Sequence, residues 1–126
     1  MSERAQASRR LTWLVAVGLV VLLAACAQAP KPLYHWEGYQ RGVYEFLKGD
    51  GISVDEQLTQ MLAQAEKARG RDVALPPGFR AHLGLLQLQA GRVDEARSSF
   101  VAEKTAFPEA SHYMDFLLAK MGAAKS

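Results

Sequence analysis

The apolar positions of this chain fall into two regimes. From Leu11 to Ala25, fifteen residues carry no charge, whereas from Trp36 onward apolar residues recur at the three- and four-residue spacing of amphipathic helices. Trp36, Tyr39, Val43 and Leu47 predict a first helix over about 36–48, closed by the turn signal Gly49-Asp50-Gly51. Ser53 with Glu56 three residues on has the capping-box arrangement, and Val54, Leu58, Met61, Leu62, Ala65 and Ala68 form one apolar stripe that Gly70 should end. A loop from Arg71 to Gly78 holds Pro76 and Pro77, and further helices follow over about 79–90, 93–106 and 109–121. No stretch alternates with the period of two that strands require. The expected fold class is all-α, about five helices in a compact bundle or a short solenoid.

The first apolar run is preceded by Arg4, Arg9 and Arg10, the basic-then-apolar order of a secretory signal. A membrane-spanning helix needs about 20 apolar residues, and here Gln28, Pro30, Lys31 and Pro32 follow at once. The run ends Leu23-Ala24-Ala25-Cys26, which resembles the lipobox of bacterial lipoproteins. That resemblance implies cleavage between Ala25 and Cys26, a thioether-linked diacylglyceryl group on the Cys26 sulfur and an acyl chain on its nitrogen. The thiolate is the nucleophile such chemistry needs. Cys26 is the only cysteine, so the chain forms no internal disulfide. The expected organisation is a removed signal over 1–25, a lipidated end and tether over 26–33, and one helical domain over 34–126.

Cleavage would change the charge. The precursor has a formal charge of +2, but three of fifteen basic residues and one of thirteen acidic residues lie in the leader, leaving twelve of each. A neutral domain gives no support to nucleic-acid binding. Ala27 to Leu33, with its two prolines, reads as an extended tether that reaches at most roughly 25 Å and so holds the domain near the bilayer. An aspartate directly after the lipidated cysteine, the usual inner-membrane retention signal, is absent, since Ala27 stands there. The expected address is the periplasmic face of the outer membrane.

Within the domain, Leu83-Gly84, Gly91, Asp94-Glu95-Ala96, Phe100 and Pro108 resemble a tetratricopeptide repeat over about 77–110. The resemblance implies an antiparallel helix pair, with Gly84 and Ala96 small where the helices cross and Gly91 in the turn between them. Arg80, Gln87 and Glu103 depart from it: the first two stand where large aromatics are preferred, the third where a small residue is. A lone repeat needs flanking helices or a partner to cover it.

Leu33-Tyr34-His35-Trp36-Glu37-Gly38-Tyr39, Tyr44, and the tail Glu103 to Glu109 with Met114 to Leu118 resemble a family of small proteobacterial outer-membrane lipoproteins of unknown function. Its members are often encoded beside a lipoprotein similar to the curli secretion pore. The resemblance implies an assembly role with other outer-membrane lipoproteins and brings no activity.

The residue types needed for catalysis are scattered. His35, His82 and His112 lack the spacing that places two metal ligands on one helical face, and His82 reads as a hydrogen-bonded histidine at the core edge. Ser98-Ser99 have no nucleophile-elbow context, and Asp55-Glu56 and Asp94-Glu95 open helices, where carboxylates meet the positive end of the dipole. No catalytic residue, metal, cofactor or small-molecule substrate is expected. The informative cluster is aromatic: Tyr34, Trp36 and Tyr39, with Tyr44 and Phe46. These residues either pack the core, present a docking surface, Trp and Tyr being favoured at binding hot spots, or lie against the headgroups beside the lipid. Leu85 and Leu88 would line the inner groove of the repeat by analogy, and are expected to meet the first helix instead. The favoured function is a lipid-anchored interaction module; the alternatives are an obligate structural subunit and, remotely, a hydrolase. Cys26→Ser should release the protein from membranes on fractionation, and a variant that stays in the membrane pellet would defeat the lipid-anchor reading.

Overall fold

In the computed structural model of the chain, residues 2–25, 30–49 and 51–123 are described. They divide into two units, Met1–Lys31 and Pro32–Ser126. The first consists of α1, Ser2–Ala25, whose apolar residues Leu11, Trp13, Leu14 and Val15 are all exposed. No described helix is long and apolar enough to cross a membrane. Ala25 ends α1, and Cys26 lies outside the described residues.

The second unit is an all-α bundle. It contains α2 (Tyr39–Lys48), α3 (Val54–Gly70), α4 (Phe79–Gln89), α5 (Val93–Ala106) and α6 (Ser111–Ala123), with one 3₁₀ turn over Pro108–Ala110. The count exceeds the expected five because Ser2–Ala25 is helical as well. Three boundaries differ from the pattern-based expectation, each for a physical reason. The first helix begins at Tyr39 and not Trp36, because His35 N–H donates to the Ala74 carbonyl (2.8 Å), which draws residues 34–36 into an extended strap bridged to Ala74. Gly70 is the last helical residue of α3, and the left-handed residue that ends the helix is Asp72 (φ +52°), whose short polar side chain tolerates that conformation. The last helix starts at Ser111, since Pro108 opens a 3₁₀ turn first.

At the other ends the local signals hold. Ser53 Oγ accepts from Glu56 N–H at 3.3 Å at the start of α3. Gly91 (φ +74°) ends α4 in a Schellman arrangement, with Arg92 N–H donating to the Gln87 carbonyl at 2.8 Å.

Helix α4 organises the core because it is apolar on two faces. Phe79, Leu83 and Leu86, at i, i+4 and i+7, pack with Leu58 and Met61 of α3, while Tyr39 and Phe46 of α2 close over them. Ala81, Leu85 and Leu88, on the same spacing two residues later, pack against Ala96 and Phe100 of α5 and Met114 and Met121 of α6. Leu85 and Leu88 therefore meet α5 and α6 and not the first helix of the domain.

Helices α4 and α5 run antiparallel, pinned at three levels. At the start of α4 the N-cap is Gly78 (φ +84°), which has no side chain to offer the exposed amides. Glu103, near the end of α5 and 1% exposed, supplies both oxygens instead: Oε1 accepts from Gly78 N–H (2.5 Å) and Oε2 from Arg80 N–H (3.1 Å). Phe79 N–H goes to the Pro76 carbonyl (3.2 Å). At the other end, Ser99 Oγ donates to Gln87 Oε1 (2.6 Å) in the buried interface. Between them the helices cross at Gly84, where an added Cβ would lie 2.5 Å from Phe100 Cε1. Both Gln87 and Glu103, which depart from the repeat pattern, are thus the polar contacts that hold the pair.

A substitution pair tests this packing. Alanine is favoured over glycine in a helix by about 1 kcal/mol, yet Gly84→Ala must displace a ring with no exposed surface. Urea denaturation should show Gly84→Ala destabilised by about 1–3 kcal/mol. Gly42→Ala on α2, whose Cβ meets nothing within 4 Å, should be stabilised by about 0.5–1 kcal/mol. Equal effects at the two sites would contradict the close crossing.

Candidate functional site

The strap 34–38 carries the aromatic residues that begin a continuous seam of rings. Tyr34 stands edge-on to Trp36 at 6.3 Å and lies 6.1 Å from Phe107, at the end of α5. Trp36 tilts against Tyr39 at 6.2 Å, and Tyr39 against Phe79 at 5.3 Å. The seam ends at His82, which Phe46 meets edge-on at 4.9 Å and Tyr39 at 6.3 Å. The ring quadrupoles favour such tilted and edge-on pairs over a face-to-face sandwich. Exposure falls along the seam, from 46% at Trp36, through half-buried Tyr39, to 0% at Phe79. The choice between core and docking surface therefore resolves residue by residue: Tyr39 and Phe46 pack against the core, and Trp36 stays accessible. Tyr44 projects outward, 63% exposed.

Charge collects around the strap. Glu37 lies 3.3 Å from Arg71 Nη1, 4.0 Å from Lys67 Nζ and 3.6 Å from the buried His35 Nε2. Arg71, Lys67 and Glu37 are more than half exposed, so these pairs orient the strap and contribute little stability.

Two groups in the seam titrate away from their ordinary values. Burial pushes the Tyr39 hydroxyl up, and the neighbouring Glu103 carboxylate adds to the effect. The same hydroxyl packs on Gly78, where an added Cβ would come within 2.8 Å of it, so Tyr39 rests on the helix start that Glu103 caps. Burial pulls His82 down. Its Nε2 has no hydrogen-bond partner in the protein, and its buried ring packs edge-on with Phe46 and Tyr39.

Of the residues singled out from sequence, Tyr34, Trp36 and Tyr39 come together in the seam, whereas Leu85 and Leu88 are half-buried on the opposite face of α4 and join no common surface with them. Phe107 and Phe79 belong to the seam but were not singled out; Phe107 stood in the Phe-Pro-Glu tail without a role attached to it. Among the described residues, no group of three or more histidine, cysteine or acidic side chains could hold a metal ion.

The fold and the seam define a small helical domain with an accessible aromatic strap. The chain belongs to the family described as a domain of unknown function, DUF4810, whose model matches residues 33–117, from the strap into the first half of α6. No curated protein and no solved structure matches the chain.

The titration of His82 has a definite sign. With its folded-state pKa below the ordinary 6.5, the unfolded chain binds the proton more readily. The stability from a neutral His82 is complete above pH 6.5 and is lost as pH falls through 6.5 toward the folded-state value. Urea denaturation at about pH 7.5 and about pH 5.5 should find the native protein weaker at the lower pH, and His82→Phe should shrink that difference. An undiminished difference in the variant would show that His82 is not its source.

Proposed function

We propose that this protein is a lipid-anchored, non-enzymatic interaction module that works at the periplasmic face of the outer membrane, where it supports a complex of lipoproteins. The observation that carries the reading is Trp36: a large indole 46% exposed, braced by Tyr34 and Tyr39, at the start of the domain. Tryptophan held rigidly in a partly exposed setting is the residue type most enriched among binding hot spots, because it adds contact area at little cost in conformational freedom. In sequence it follows Cys26 by ten residues, so an anchor at Cys26 would keep this surface close to the bilayer and limit partners to those found there.

The tetratricopeptide-like reading of α4 and α5 enters here as well. The Gly84–Phe100 crossing and the Gly91 turn agree with it. Covering α4 on both faces leaves Leu85 and Leu88 occupied, so the docking surface proposed is the strap and not an inner groove.

Crosslinking in native membranes, followed by identification of the adducts, tests the proposal. Trp36→Ala should keep its helical spectrum and lose the specific adducts, as removal of a hot spot weakens binding by about 2 kcal/mol or more. A folded Trp36→Ala with every adduct unchanged would contradict the proposed surface.

A further inference from the structure

Trp36 also lines a predominantly polar groove of about 460 Å³ between α2 and α3. Gln40, Arg41 and Glu45 contribute from α2, and Gln60 and Gln64, one turn apart and therefore on one face, contribute from α3. The groove stays open because Gly42 lines it without a side chain, and a Cβ there would meet nothing within 4 Å. Gln64 Oε1 is buried and has no hydrogen-bond partner in the protein. A buried acceptor left bare is costly, and turning the Gln64 amide toward the groove would let a ligand's donor satisfy it.

We infer that this groove binds a neutral oligosaccharide. Each glutamine amide presents donors and an acceptor side by side, which matches the donor-and-acceptor character of neighbouring sugar hydroxyls. The indole of Trp36 offers an apolar face to the C–H side of a pyranose ring, the usual division of labour between a few polar groups and one aromatic wall. Arg41 and Glu45 bring opposite charges, so the groove has no net field that would select a phosphate or a cationic ligand. Its polar lining equally disfavours an apolar peptide. The inference goes beyond the docking role: it shares Trp36 with that role and adds Gln64 and Gly42, which that role does not use.

Two-dimensional NMR of the full chain, in a detergent without a sugar headgroup, tests it with chitotetraose and maltotetraose as the probes. The Trp36 indole N–H signal should shift saturably with at least one of them, while the Trp13 signal stays fixed. Gly42→Phe fills the groove and should abolish the shift. Gln64→Leu should weaken binding at least about tenfold. No saturable shift with either sugar up to about 10 mM would overturn the inference. So would native-like binding by a Gly42→Phe variant whose dispersed amide spectrum shows it folded. Should Gly42→Phe fail to fold, undiminished binding by Gln64→Leu overturns it as well.

Discussion

The carboxylate of Glu103 is the interaction on which the arrangement of this domain depends. Removing an ionised carboxylate from water is expensive unless its oxygens are hydrogen-bonded, and here both are, by backbone amides at the positive end of α4. Gly78 permits this twice over. Its positive φ sets the turn into the helix, and its lack of a side chain leaves the amides uncapped and the Tyr39 hydroxyl room to sit against it. One contact thereby joins three elements: the end of α5, the start of α4, and the aromatic residue that begins α2. The Gln87–Ser99 hydrogen bond fixes the other end of the α4–α5 pair, so the helices can neither slide nor splay without exposing an unpaired polar group.

From that fixed pair the accessible strap follows. Because α4 is apolar on two faces, α3 and α2 cover one and α5 and α6 the other, and Phe79 at its start becomes the buried end of the aromatic seam. Rings then lead outward through Tyr39 to Trp36, with Tyr34 braced on Phe107. The strap has little regular structure of its own; His35 donating its backbone N–H to Ala74 holds it, and the exposed pairs of Glu37 with Arg71 and Lys67 orient it. A partly exposed indole braced by Tyr34 and Tyr39 is what this arrangement leaves accessible, and the family match begins just before it, at residue 33.

Most of the helices were legible in the chain because periodicity and end signals act locally: Val93 and Ala106 bound α5 where the pattern placed them, Ser53 caps α3, and Gly91 turns α4 into α5. What was not legible depended on residues distant in sequence. Trp36 has helical spacing with Val43 and Leu47, but the pull of Ala74 on His35 takes it out of the helix. Glu103 looks like a surface acid on an amphipathic helix, and only the glycine twenty-five positions earlier explains its burial. Leu85 and Leu88 lie on an α4 face whose partner a one-dimensional pattern cannot choose when both faces are apolar. The glutamine groove was hidden for the same reason, since Gln40 and Gln64 belong to different helices and carry no motif between them.

Amide hydrogen exchange at Gly78 and Arg80 tests the central role of Glu103 most directly. If the carboxylate caps α4, both amides should exchange at least about a thousandfold more slowly than in an unstructured peptide. Glu103→Ala should raise both rates by more than it raises the rate at Arg92, whose amide is held at the far end of α4 by the Gln87 carbonyl. Exchange at Gly78 and Arg80 in the native protein as fast as in an unstructured peptide would contradict the account.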